Sequence, residues 1–219
     1  IVLSFAVLAF AAFVSGCRTA PVKDVEPETE EEIIEKITAE AEQGNMEKAL
    51  ELFEGRKESD PILYAILLIN NGKFDEAESI LDTIIRQDEA NITALYYSSL
   101  VHNIRGDRVK EKGRLEAVLA FDPGNADANI SLGRLYASEK KYREAEERFK
   151  KVISAVQYSE DAELGYAMVL LAQGKTGEAL KHYDNVIANS RNMSAYIDRA
   201  YIKSVREDYR GAEADLDEA

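Results

Sequence analysis

A short turn signal recurs along this chain at nearly constant spacing. A small or polar pair, then an aromatic or long apolar residue, then alanine three positions on, reads as Gly44-Asn45-Met46 to Ala49 and Gly72-Lys73-Phe74 to Ala77. It returns as Lys140-Lys141-Tyr142 to Ala145, Gly174-Lys175-Thr176 to Ala179 and Glu207-Asp208-Tyr209 to Ala212. A weaker copy, Gly106-Asp107-Arg108, has Glu111 in the alanine's place. From Ala49 through Glu111 to Ala212 the intervals are 28, 34, 34, 34 and 33 residues. A fixed period of this length marks stacked supersecondary units, none of which buries its apolar face alone. Helical periodicity fills each interval, and the 4 prolines avoid the helical interiors, so the chain reads as all-α.

The repeated residues resemble the tetratricopeptide repeat, whose pattern is Trp-x2-Leu-Gly-x2-Tyr on a first helix, Ala-x3-Phe on a second, and a closing Pro. The best copy is Asn129, Leu132, Gly133 and Tyr136, followed by Ala145 and Phe149, with Gln157 in place of the closing proline. Second helices keep the pattern as Ala49/Phe53, Ala77/Leu81, Ala179/Tyr183 and Ala212/Leu216, and Pro123 is a retained closing proline. The resemblance implies a right-handed superhelical solenoid of about six helical hairpins over residues 29–219. The copies span about 29–57, 58–91, 92–125, 126–159, 160–192 and 193–219. Small residues Gly133, Ala145, Ala179 and Ala200 are expected where helices approach closely, with Tyr136, Phe149 and Tyr183 filling the space between hairpins. The first copy is short, cut by Gly55-Arg56-Lys57. Ser99, His102 and Glu111 make the third the poorest, where a local distortion is expected.

The N-terminal stretch reads differently. Residues 1–16, IVLSFAVLAFAAFVSG, carry no charge and are followed directly by the chain's single cysteine, Cys17. The run is short for a membrane span and suits a signal-peptide core. Val14-Ser15-Gly16-Cys17 resembles the bacterial lipobox, with Val for the commoner Leu, which implies lipidation of Cys17 after removal of residues 1–16. Residues 17–28 read as the lipidated cysteine and a flexible tether, which at ~3.3 Å per residue reaches roughly 35–40 Å. Thr29 and Glu32 have the capping-box spacing that starts a helix. With no initial Met and no basic n-region, the sequence is expected to be a fragment. It ends inside the second helix of the sixth copy, so it is also expected to continue. Arg18 after the cysteine, in place of the aspartate linked to inner-membrane retention, points to the periplasmic face of an outer membrane.

Composition narrows the function. Lys+Arg is 27 against Asp+Glu 41, a formal charge of -14, which disfavours a nucleic-acid partner or charge-driven docking on anionic lipid. No phosphate loop, dinucleotide fingerprint, HExxH or second cysteine is written, so no enzyme, cofactor or metal site is expected. His102 reads as an interior histidine and His182 as a solvated one. The carboxylates Glu144/Glu146/Glu147 and Glu213/Asp215/Asp217 read as solvated helix faces. The site left is the concave face, which the resemblance places on outward positions of first helices. These are Tyr96, Tyr97, Leu100, Asn103, Asp127, Ile130, Arg134 and Ser138, continued by Asp161, Leu164, Met168, Leu171, Ile197, Asp198 and Tyr201. Such lining suits an extended peptide or an amphipathic helix of another envelope protein. The lysine/asparagine clamp of co-chaperone relatives is not written in these positions. The expected role is a membrane-anchored scaffold or adaptor. The alternatives are ligand capture for a transport system, or an accessory domain of a longer, active protein.

Overall fold

The structure, a computed structural model, describes residues 29–55 and 59–219. The segment read as signal peptide, lipidated Cys17 and tether lies outside the described residues. Among those described, the chain forms twelve α-helices and no strand, and it divides into two compact units at residue 89.

The first unit holds α1 (Glu30–Glu42), α2 (Met46–Glu54), α3 (Pro61–Asn70) and α4 (Phe74–Gln87). Thr29 accepts from the Glu32 amide while the Glu32 carboxylate accepts from the Thr29 amide, so both ends of the capping box are made. Each helix packs on the next in sequence. Phe53 on α2 stacks on Tyr64 of α3 at 6.1 Å, and the Asn71 amide donates to the Met46 carbonyl across the same seam.

The second unit holds four hairpins: α5 (Ile92–Ile104) with α6 (Arg108–Phe121), α7 (Ala126–Ser138) with α8 (Tyr142–Ala155), α9 (Glu160–Ala172) with α10 (Thr176–Ser190), and α11 (Met193–Val205) with α12 (Tyr209–Glu218). Within the stack α6 meets α7, α8 meets α9 and α10 meets α11, and the first helices α7 and α9 also touch.

The turn inside every hairpin has one geometry. A residue with positive φ follows the first helix: Gly44, Gly72, Gly106, Lys140, Gly174 and Glu207. Paired bonds close it, as where Lys141 N–H reaches the Tyr136 carbonyl and Lys140 N–H the Ala137 carbonyl. This is the Schellman closure that satisfies the last carbonyls of a helix. Lys140 (φ 61) and Glu207 (φ 64) occupy it without being glycine. First helices open on a side-chain oxygen that accepts a backbone amide, from Thr29, Asp60, Asn91, Asn125, Ser159 and Asn192.

The core follows the repeat. Ala49, Ala77, Ala145 and Ala179 are fully buried. Phe149 is also fully buried, and its ring tip lies where a Cβ on Gly133 of α7 would stand 2.9 Å away and one on Gly165 of α9 2.4 Å away. One aromatic ring therefore joins its own hairpin to the following one through two bare backbones. Asn129, at the position of the repeat's tryptophan, is buried and donates to the Asn125 and Pro123 carbonyls, tying down the preceding loop.

The third copy is not distorted. Helices α5 and α6 run 13 and 14 residues without a break, and Ser99 and Glu111 find partners inside the hairpin. Ser99 donates to the Tyr96 carbonyl at 2.6 Å. Glu111, buried in the alanine slot, accepts from the Asn103 amide at 2.8 Å. Burial pushes the Glu111 carboxyl above its ordinary range, against the pull of Asn103 and Arg108. His102 is buried, in keeping with an interior histidine.

Candidate functional site

First helices of the second unit present side chains in register. Leu100, Arg134, Met168 and Tyr201 fall at intervals of 34, 34 and 33 residues, one repeat apart on α5, α7, α9 and α11. Leu100 is half-buried; the side chain of Arg134 is 56% exposed, Met168 61% and Tyr201 64%. Two turns earlier stand Asp127 and Asp161, both exposed. Three consecutive hairpins thus offer a cation, a thioether and a phenol to solvent at one register.

Around this line a polar and aromatic patch assembles. Tyr96 and Tyr97 on α5 meet edge to face at 5.8 Å. Both are half-buried. Burial raises both hydroxyls above the usual tyrosine range and nearby Asp127 adds to the effect, while Ser131 and Arg134 pull Tyr96 back. From α7, Arg134 reaches across to Asp161 on α9, 2.5 Å away. With both partners more than half exposed, that pair contributes no more than about 1 kcal/mol. Arg134 is nonetheless not an unpaired cation, because the next repeat brings Asp161 against it.

The structure brings Tyr96, Tyr97, Asp127, Arg134 and Asp161 together, with Met168 and Tyr201 continuing the register. Asn103 is exposed but spends its amide on Glu111. Asp198 belongs elsewhere. It is half-buried and hydrogen-bonded to the buried Tyr183 of α10, whose hydroxyl is raised by burial first and Asp198 second. Its place one residue past the Ile197 register turns it toward the preceding hairpin, as at Gly165. Ile130, at 6% exposure, packs inside as well.

Two carboxylates read as solvated, Glu146 and Asp215, prove to be internal ties. Glu146 on α8 is half-buried between hairpins. Lys150 binds it at 2.5 Å, the Tyr166 hydroxyl of α9 donates at 3.1 Å, and Lys175 stands at 3.5 Å. These contacts, led by Lys150, overcome burial and hold its carboxyl at about 2. Asp215 on α12 is buried under the Arg199 fork, at 2.9 and 2.5 Å, with Lys203 at 2.8 Å. Burial alone would raise it; Arg199 and Lys203 together bring it below its ordinary range. His182 is not solvated. Its Nδ1 lies 2.5 Å from buried Glu163, which also accepts from Asn185 at 2.8 Å, and its ring meets Tyr166 edge to face.

Among the described residues no cluster of His, Cys, Asp or Glu is arranged to hold a metal ion, and no helix is long and apolar enough to cross a membrane. The described residues also include an open groove between the α9–α10 turn and α11.

Residues 130–194 match the tetratricopeptide repeat family model. No curated protein matches the chain in sequence. Solved structures match its fold. A tetratricopeptide repeat protein from Parabacteroides merdae ATCC 43184 is 23% identical, with 85% of this chain and 77% of that one aligned at a TM-score of 0.67. The pilF protein of Pseudomonas aeruginosa is 19% identical over 75% of this chain and 76% of its own, at 0.69. YrrB, described as a TPR protein with an unusual peptide-binding site, is 22% identical over 79% and 89%, at 0.59.

Proposed function

We propose that this chain, a tetratricopeptide repeat protein, is a scaffold that holds partner proteins against the first-helix face of α5, α7, α9 and α11. The fold supports a protein–protein interaction role in general, since stacked hairpins offer one extended surface in place of a reaction centre. The observation that carries the specific reading is the exposed register of Arg134, Met168 and Tyr201 beside the Tyr96–Tyr97 pair. Tyr and Arg supply large rigid contact area and directional charged bonds, and both are over-represented among residues that dominate interfaces. The partner segment is an extended peptide or an amphipathic helix.

The same proposal places the scaffold in a bacterial envelope. Its support is the sequence Val14-Ser15-Gly16-Cys17 behind an uncharged apolar run, which suits lipidation at Cys17, and Arg18 in place of the aspartate linked to inner-membrane retention, which favours the periplasmic face of an outer membrane. Two experiments test the halves separately. Metabolic labelling with a fatty acid should mark the wild type and not Cys17→Ala; equal labelling of both would defeat the anchor. Affinity capture from detergent-solubilised envelopes should recover a partner with the wild type and lose it with Tyr97→Ala plus Arg134→Glu. Recovery undiminished in that variant would defeat the proposed face.

A further inference from the structure

The groove beside α11 has a chemistry unlike the rest of this acidic chain. It encloses about 850 Å³, and its apolar wall is formed by Leu171, Tyr201, Ile202 and Val205. Tyr201 and Val205 are 64% and 66% exposed, so a continuous apolar strip faces solvent there. Lys175, Lys181 and Arg206 edge the groove, against the single carboxylate of Glu178. On a protein carrying a net -14, three cations to one carboxylate is a local reversal of sign. Lys175 leans on Glu146, whereas Lys181 and Arg206 enter no ion pair among the described residues. A Cβ added at Gly177 would meet nothing within 4 Å, so that part of the groove is left open.

We propose that this groove binds a protein segment carrying an apolar side chain next to one or more carboxylates. The apolar side chain lies along Tyr201 and Val205, removing their exposed surface from water. The carboxylate meets Arg206, whose planar fork takes it in two hydrogen bonds, and Lys181. Charge complementarity selects an anionic occupant. The apolar wall and the acidic remainder of the surface select a peptide over a polyphosphate, which the net charge repels. This deepens the partner-holding reading and rests on it. It adds an anionic contact in the α9–α11 groove to the one that Arg134, paired with Asp161 at the surface, offers on the same face.

The test starts from a random-peptide display library selected on the full chain in detergent. The enriched peptides, fluorescently labelled, are then titrated against variants by anisotropy, with helicity checked by circular dichroism. Enriched peptides should pair an aromatic or aliphatic residue with Asp or Glu. Their affinity should fall at least about tenfold in Lys181→Glu plus Arg206→Glu. It should fall comparably in Gly177→Leu, which fills the groove without altering charge or straining the backbone. Glu147→Lys, on the exposed face of α8, should leave it unchanged. Peptides without acids, or peptides whose binding survives the groove variants and is lost in Tyr97→Ala plus Arg134→Glu, would overturn this site while leaving the partner-holding reading standing. A library that yields no binding peptide would overturn both.

Discussion

Replacing Gly165 with alanine sets two known effects of opposite sign against each other. In a helix interior, alanine is favoured over glycine by up to about 1 kcal/mol, so an exposed glycine should gain from the change. Gly113, in the middle of α6, is exposed, and an added Cβ there meets nothing within 4 Å; Gly113→Ala should stabilise by about 0.5–1 kcal/mol. At Gly165 the Cβ would stand 2.4 Å from the Phe149 ring, more than 1 Å inside the 3.5–4 Å at which carbon atoms rest. The ring has no easy retreat, since it is fully buried and its tip already fills the space beside Gly133, where a Cβ would be 2.9 Å away. Overpacking of this kind costs about 1–3 kcal/mol, so Gly165→Ala should be destabilising by about 1–2 kcal/mol net. Urea unfolding followed by circular dichroism reads both variants. Trimming the ring with Phe149→Leu should make the two changes non-additive, Gly165→Ala costing less in that background. If Gly165→Ala is as stabilising as Gly113→Ala, Phe149 does not bridge the two hairpins and the packing described is wrong.

Other outcomes follow from the buried polar ties. Glu146 has a folded value near 2 against an ordinary 4.5, so its contribution, at most about 3 kcal/mol, is present above pH 4.5 and is lost as pH falls toward 2. The urea midpoint of the wild type should therefore drop over that window more steeply than that of Glu146→Gln; parallel curves would refute the tie. His182→Ala leaves the buried Glu163 carboxylate with only Asn185 and should cost about 1–3 kcal/mol by the same assay, where a solvated histidine would cost under about 0.5. Lys140→Gly, at φ 61, should raise stability by about 1 kcal/mol in thermal melts, and Gly174→Ala, at φ 76, should lower it by a similar amount.

The fold was legible because the repeat is written in residues with backbone consequences. Gly or a substitute at each turn, and a small residue three positions into every second helix but α6, recur in the sequence at the spacing where the structure places them. The caps on first helices, Thr29, Asp60, Asn91, Asn125, Ser159 and Asn192, recur almost as regularly and would have fixed the helix starts independently. Gly165 also carried a signal, since a glycine inside a helical pattern usually marks close packing. What the sequence hid is which charges meet. Glu146, Glu163 and Asp215 look like outward carboxylates on amphipathic helices. Tyr166, Lys175, His182 and Arg199, which hold them, come from neighbouring helices at separations no local pattern encodes. Pairing of Arg134 with Asp161 escaped for the same reason, as did the clustering of Lys175, Lys181 and Arg206 on one groove. Glu111 is the converse case, a repeat violation that its own hairpin absorbs through Asn103.

Where the partner touches the array is the claim on which the rest depends. A photo-crosslinking amino acid can be installed at Met168 or Tyr201, exposed on first helices, and at Glu147 on the exposed face of α8. Irradiation of cells carrying each variant, followed by immunoblotting, compares the two faces directly. Adducts of a common mass at positions 168 and 201, with none at 147, are the predicted result. Adducts confined to position 147, or equal at all three, would show that partners are not held on the first-helix face.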